Sequence, residues 1–453
     1  MKVYKQGIEL EGFVIEEDKT PLVKDHSLHA DMTDLFRNRI FHKYYFDDSK
    51  PEFPSNPYKS VGGLANHLSS VISGATDLAK EKGINYILIG CFPFWQDFAS
   101  GHIHTSLVGM KEDTWKEMKR KLYNAQPMIA LLSANSPLMK GVFKASDVRL
   151  SFSSWSRFTD FDRDTSDHYM ALAMGEGGAT LECRIPSSSS LYQILGIAVF
   201  IRILLEDEDT TLPIFYTREI FDRVTKYGSE TLVPIGLPKG VTYHGVKLKK
   251  AHVRITDLWR LYYKENYDLF KEKLKDCNPR VREGVLKFYD LIANGLTVSD
   301  LVLDYWNSLR NKGDIVKTLQ RLTEETYNYK STIQDILPIP KRKYIPPLPK
   351  RITIEEFKDL IDHLQIRELT PVEVDDILKL IFSTRIRTYE MFNVISDISS
   401  QGYSNGRLHR DLLRELKSFD IVKEKRNPDR VILPGKNFPI FVQLLEESEL
   451  FNQ

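Results

Sequence analysis

Cysteine is scarce in this chain: Cys91, Cys183 and Cys277 are the only three in 453 residues. They lie far apart with no Cys-x-x-Cys spacing, which argues against a disulfide framework or a zinc knuckle and fits a reducing cytoplasm. Net charge is nearly absent as well. At +1 the chain has no global field to attract nucleic acid, membranes or acidic partners, so any such binding must come from a local patch. Long apolar runs are missing: the longest, "LGIAVFIRILL", is short and interrupted by Arg202, too little for a membrane span. The N-terminus carries no basic segment followed by an apolar run, so neither secretion nor membrane insertion is expected. Internal repeats and low-complexity blocks are also lacking. What remains is a chain 42% hydrophobic and 28% charged, which reads as globular and, at this length, as two or three domains.

Proline marks the main break. "ILPIPKRKYIPPLPKRIT" holds Pro338, Pro340, Pro346, Pro347 and Pro349 among basic residues and reads as an extended, semi-rigid connector. The expected division is 1–190 as a mixed strand-and-helix catalytic or binding domain, 191–335 as a helical annex completing it, 336–352 as linker and 353–453 as a separate module. Within the first part, "YKSVGGLANHLSSVISGATDLAKEKG" has helical spacing and stops at Gly83, and "NYILIGCF" follows as a strand. "EDTWKEMKRKLYNAQPMIALLSA" reads as a second long helix. The annex includes helical patterns such as "TDLWRLYYKENYDLFKEKLK" and "PRVREGVLKFYDLIANG", with a strand-rich insert around "GVTYHGVKLKKAHVRI".

Three short stretches share one anomaly, a pair of polar residues two apart in apolar surroundings. "GIELEGF" carries Glu9 and Glu11, "GHIHTSLVG" carries His102 and His104, and "ATLECRIP" carries Glu182 and Arg184. Side chains alternate along a strand, so each pair faces one way while Ile8 and Leu10, Ile103, and Leu181 and Cys183 face the other. Each pair alone also has an ordinary reading: a solvated face, polar residues at a strand edge, an ion pair. Together, in one antiparallel sheet, they would bring carboxylate and imidazole ligands to a divalent metal and an arginine to a phosphate.

The order of these stretches resembles a known family. Glu-x-Glu on the first strand, a His-x-His strand, an "NSP" turn and "LECRIP" as a Glu-x-Arg strand is similar to the glutamine synthetase fold, and more closely to the glutamate–cysteine ligase type 2 (carboxylate–amine ligase) family. "INYILIGCFPFW" and "IALLSANSPLMKG" resemble two further blocks of that family, and the resemblance spans residues 7 to about 187. It implies an α+β fold with an antiparallel sheet of glutamine synthetase type flanked by helices. The implied chemistry uses ATP with magnesium or manganese to convert a carboxylate to an acyl phosphate, which an amine then attacks to form an amide. Amino-acid-like carboxylate and amine substrates are implied, and a homo-oligomer is left open. Carried across, Glu9, His102 and Glu182 would hold one metal and Glu11 another, with Asp47 or Asp48 and Glu52 as Glu11's further carboxylates. His104 would sit near the nucleotide, Arg184 near the γ-phosphate, and Asn135, Ser136 and Lys140 would line the site. Glu11 and Arg184 would be the catalytic pair. Asp147, Arg149 and Arg157 are carboxylate-binding candidates between the last two blocks.

Beyond Pro349, "TYEMFNVISDISSQGYSNGRLHRDLLRELKSFDIVKEKRNPDRVILPG" reads as helix, turn, helix and a hairpin turning at Asn427, Pro428 and Asp429, an order that resembles a winged helix-turn-helix. Arg407, Arg410 and Arg414 would stay outside on the second helix, with Lys425 and Arg426 in the wing. From Lys379 to Lys436 twelve lysines and arginines face seven carboxylates, a local balance of +5 that suits contacts to DNA phosphates. Winged helices also serve as protein-interaction modules, so DNA remains one partner of two. The competing whole-chain reading is a ligand-sensing DNA-binding regulator built on a ligase-like domain without turnover.

Overall fold

Apolar and polar residues alternate along Ile8–Glu11, with Ile8 and Leu10 buried and Glu9 and Glu11 partly exposed, and they end the first strand, β1 (Val3–Glu11), of a central antiparallel sheet. A computed structural model describes residues 2–15, 30–31, 33–34, 45–47, 50–92, 98–109, 111–137, 171–175, 180–207, 220–221, 224–225, 228–243, 246–339, 422–426 and 430–434. Further strands are β2 (Phe13–Ile15), β3 (Tyr45–Asp47), β4 (Lys50–Pro54), β5 (Asn85–Ile87), β6 (Gly101–Leu107), β7 (Leu172–Met174) and β8 (Leu181–Cys183). The central sheet has the order β3-β4-β1-β6-β8-β7, and its neighbours pair antiparallel. The three strands that carry the polar pairs are therefore adjacent.

One face of this sheet is closed by the helix α4. The helices before it are α1 (Val61–Glu81), α2 (Glu112–Tyr123) and α3 (Gln126–Ser133), and α4 itself spans Leu191–Glu206. Every residue of α4 except Arg202 and Glu206 is buried, which is how a helix reads when it is covered on all sides. Gln6 on β1 donates from Nε2 to the Ala198 carbonyl at 3.0 Å, so the side of β1 that carries Gln6, Ile8 and Leu10 faces this helix. Gly101 belongs to the same face of the sheet: a Cβ there would meet Ile194 of α4 at 3.2 Å and the Ser187 carbonyl oxygen at 2.9 Å. Around α4 follow α5 (Ile255–Glu265), α6 (Tyr267–Lys273), α7 (Pro279–Ala293), α8 (Val298–Ser308), α9 (Asp314–Tyr327) and α10 (Ile333–Ile336). Phe200, Trp259, Tyr263, Phe270 and Tyr289 form an aromatic core in this layer, with Tyr289 donating to the Gly196 carbonyl at 2.6 Å.

Two expected elements take a different form. The stretch 112–134 is two helices rather than one, because Pro127 has no N–H to give to the Tyr123 carbonyl and breaks the ladder. The Gln126 side chain fills that acceptor instead, from Nε2 at 3.2 Å. "NYILIGCF" is a strand only over Asn85–Ile87, and it pairs with β2 in a separate two-stranded sheet. Beyond Ile87 its amides are taken by side chains: Leu88 N bonds Thr323 Oγ1, Gly90 N bonds Asn135 Oδ1 and Cys91 N bonds Ser136 Oγ.

The helix α1, by contrast, follows its expected course. Ser60 caps it by accepting from Gly63 N at 3.0 Å, and it ends before Gly83 at φ +69°, a left-handed position that glycine occupies without strain.

The chain divides into two units: Met1–Leu212 with Tyr216–Ser229 and Thr256–Pro340, and Pro213–Phe215 with Glu230–Ile255 and Lys341–Gln453. Among its described residues the second contains two hairpins. In one, β9 (Leu232–Tyr243) pairs with β10 (Val246–Arg254). In the other, β11 (Val422–Arg426) pairs with β12 (Arg430–Pro434), and Arg426 lies opposite Arg430. The helices expected to carry Arg407, Arg410 and Arg414 lie outside the described residues, and Lys425 and Arg426 are placed on β11 by backbone alone. Among the described residues no helix is long and apolar enough to cross a membrane.

Candidate metal and phosphate site

Register brings the polar pairs together. In β1 and β6, Glu9 lies opposite His102 and Gly7 opposite His104; in β6 and β8, His104 lies opposite Glu182. Because directly opposed residues put their side chains on one face of a sheet, Glu9, His102, His104 and Glu182 share the face turned away from α4. Glu9 Oε2 is 3.5 Å from His102 Nδ1 and 3.2 Å from His104 Nε2, and Glu182 Oε1 is 3.2 Å from His102 Nδ1. Arg184 closes the edge of the group with two parallel bonds to Glu182, Nε to Oε1 at 2.8 Å and Nη2 to Oε2 at 2.9 Å, the geometry that suits a guanidinium to a carboxylate.

Electrostatics follow from that packing. Burial by itself pushes the Glu9 carboxyl up, but the imidazoles of His102 and His104 outweigh it and hold Glu9 well below the usual carboxylate range. His102 shows the opposite balance: burial favours its neutral form, while the hydrogen bond to Glu9 and the charges of Glu182, Glu11 and Glu9 raise its affinity for a proton above the ordinary value. The cluster thus stores negative charge around a buried imidazole.

A metal ion fits this donor set. Ligand atoms of Glu9, His104 and Glu182 lie within 4.8 Å of one another, and carboxylates with imidazole suit magnesium or manganese. Nε2 of His102 is buried with no hydrogen-bond partner, and Nε2 of His104, equally buried, has only the Glu9 carboxylate at 3.2 Å. A buried polar nitrogen without a partner is costly, and a cation would satisfy one that is not protonated. His104, expected near the nucleotide, has a ring nitrogen among these candidate donor atoms. His102 sits against both carboxylates through Nδ1.

The remaining expected residues divide. Asn135 and Ser136 are buried, and their side chains hold backbone, Asn135 bonding Gly90 N and the Ser188 carbonyl and Ser136 bonding Cys91 N. They are positioning residues for the loop after β5. Glu52 lies directly opposite Glu11, and Asp47 lies opposite Lys50 on β3. Glu11 itself accepts from Ser100 N at 2.8 Å and lies 3.6 Å from Lys50 Nζ. Asp48, Lys140, Asp147, Arg149 and Arg157 lie outside the described residues.

Two neighbours escaped the sequence reading. Thr180 Oγ1 meets His104 Nδ1 at 3.3 Å, which orients the ring so that Nε2 faces Glu9. Lys50 was legible in principle, since it precedes Glu52 by two in "KPEFP" and so shares its face of β4.

No family model matches the chain, and no curated protein matches it. Among solved structures it is similar to a bifunctional glutathione synthetase from Pasteurella multocida, at 13% identity and TM-score 0.46 over 72% of this chain. The chain spans about half of that protein, 52% of its length. It is similar also to glutamate–cysteine ligase from Francisella tularensis in complex with AMP, at 10% identity and TM-score 0.47, covering 92% of this chain and 98% of that one. A third is the complex between the prokaryotic ubiquitin-like protein Pup and its ligase PafA, at 10% identity and TM-score 0.43, covering 97% and 92%. With TM-scores below 0.5, these likenesses assign neither fold family nor activity.

Proposed function

We propose that this chain is an ATP- and magnesium-dependent carboxylate–amine ligase, forming an amide through an acyl phosphate. The observation that carries the reading is the convergence of Glu9, His102, His104, Glu182 and Arg184 on one face of three adjacent strands. Glutamate–cysteine ligase chemistry is the nearest version of the proposal, with an amino-acid-like carboxylate and amine as substrates.

A divalent ion held by Glu9, His104 and Glu182 would supply charge neutralisation for the phosphates. The chain's own residues do the rest. Glu9 stays ionised and acceptor-only because two imidazoles face it. Glu182 divides its role, presenting a carboxylate to the cluster while both its oxygens fix the Arg184 guanidinium. Held in that way, Arg184 is preorganised to meet the charge of a transferring phosphoryl group, and little reorganisation is needed when charge develops there.

The domain division at the proline-rich stretch, and DNA contact by the C-terminal module through Arg407, Arg410, Arg414, Lys425 and Arg426, belong to the same proposal. So does function in the cytoplasm. The decisive experiment measures magnesium-dependent ADP release from ATP with a panel of amino acids and amines, comparing wild type with Glu9→Gln. Release that an amino acid stimulates in wild type and that Glu9→Gln loses is the expected result. ATP binding without ADP release under any pairing would sink the ligase and leave a nucleotide-binding sensor.

A further inference from the structure

We propose that Lys50 takes the place of a second cation beside Glu11, so that the site binds one divalent ion instead of two. The inference rests on the reading of Glu9, His104 and Glu182 as a metal site, and it concerns the carboxylates next to them. Glu11 follows Glu9 by two on β1 and lies opposite Glu52 of β4. Carboxylates on one face of neighbouring strands repel, so the arrangement requires a positive charge close by.

Lys50 supplies it. Its side chain shares the face of Glu52, because β4 alternates with Pro51 and Phe53 buried beneath. Its Nζ stands 3.6 Å from Glu11 Oε2, and the two side chains are only 14% and 12% exposed. The ammonium is fixed from a second side by donating to the Phe98 carbonyl. Ser100 N donates to the same Glu11 oxygen at 2.8 Å, and Glu11 N in turn bonds the Ser100 carbonyl. The cation and the carboxylate are therefore locked between β1, β4 and the segment leading into β6.

A magnesium ion needs oxygen ligands at about 2.0–2.1 Å and a near-octahedral shell. Bound to Glu11 Oε2 on the lysine's side, it would overlap the ammonium, and the Ser100 amide already occupies part of the remaining approach. Glu11 thus does not fit the role of ligand to a second ion, which the family resemblance implies for it. The lysine gives the position a fixed single charge that no chelator removes.

The test counts manganese ions bound per full-length chain, following free Mn²⁺ by electron paramagnetic resonance in a titration without nucleotide. One ion in wild type, one in Lys50→Arg, two in Lys50→Ser and none in Glu9→Gln is the expected pattern. Two ions in wild type, or a count that stays at one in folded Lys50→Ser, overturns the proposal and leaves the Glu9-centred site standing. None in wild type removes that site and the proposal with it. Should Lys50→Ser fail to fold, the wild-type count decides alone.

Discussion

At the scale of single residues, one carboxylate carries two tasks. Glu182 holds Arg184 by a bidentate bond and sits 3.2 Å from His102, so the cation proposed for phosphate and the cluster proposed for metal are mechanically one object. Arginine matters here for its fork. A lysine would keep the charge and lose the second bond, leaving the positive group free to swing. Arg184→Lys is therefore expected to lower ADP release by roughly 10²–10³-fold, the range seen when one preorganised stabiliser of transition-state charge is removed. The unfolding temperature, measured alongside, should stay close to wild type; an equal fall in stability would reassign the loss to folding.

Among elements, α4 decides how firmly β1 is held. Its last residue, Glu206, places a negative charge at a helix C-terminus, where the helix dipole is unfavourable to it. Arg202 at 3.3 Å, Lys273 at 2.5 Å and the Val3 amide at 3.0 Å offset this. The last of these ties the start of β1 to the end of α4. Burial raises the Glu206 carboxyl, but Lys273, Arg202 and the Val3 amide prevail and lower it below its ordinary value of 4.5. A carboxylate lowered on folding stabilises fully above its ordinary value and loses that contribution as pH falls through the folded-state value. Glu206→Gln should thus cost about 1 kcal/mol at neutral pH in urea unfolding, given its partial solvation. The difference from wild type should shrink toward zero as the pH drops below that range. A difference independent of pH would mean that packing, not charge, is what Glu206 contributes.

For the molecule as a whole, the site is a device that joins distant parts of the chain. Its ligand atoms come from β1, β6 and β8, that is from residues 9, 104 and 182, which no local segment brings together. An ion bound only by the folded state stabilises the entire unit by mass action, about 2.7 kcal/mol at a hundredfold excess over its Kd. Manganese should accordingly raise the unfolding temperature of wild type in a concentration-dependent way and leave Glu182→Gln unmoved. Equal shifts in both proteins would place the ion somewhere other than this cluster.

The sequence by itself determined which residues share a face. Period-two alternation set Glu9 with Glu11, His102 with His104, and Ile8 with Leu10 on the buried side, because the direction of a strand side chain depends only on its position along the strand. Helix ends were equally local: Ser60 and Gly83 bound α1 through their own backbone preferences. What local rules could not carry was neighbourhood. The strand order, the register that sets Glu9 against His102 and His104 against Glu182, and the arrival of Lys50 beside Glu11 all depend on how the chain crosses the molecule. Asn135 and Ser136 make the same point. The fold sets their side chains against the backbone of Gly90 and Cys91 and has them accept from those two amides, because a buried N–H must find an acceptor.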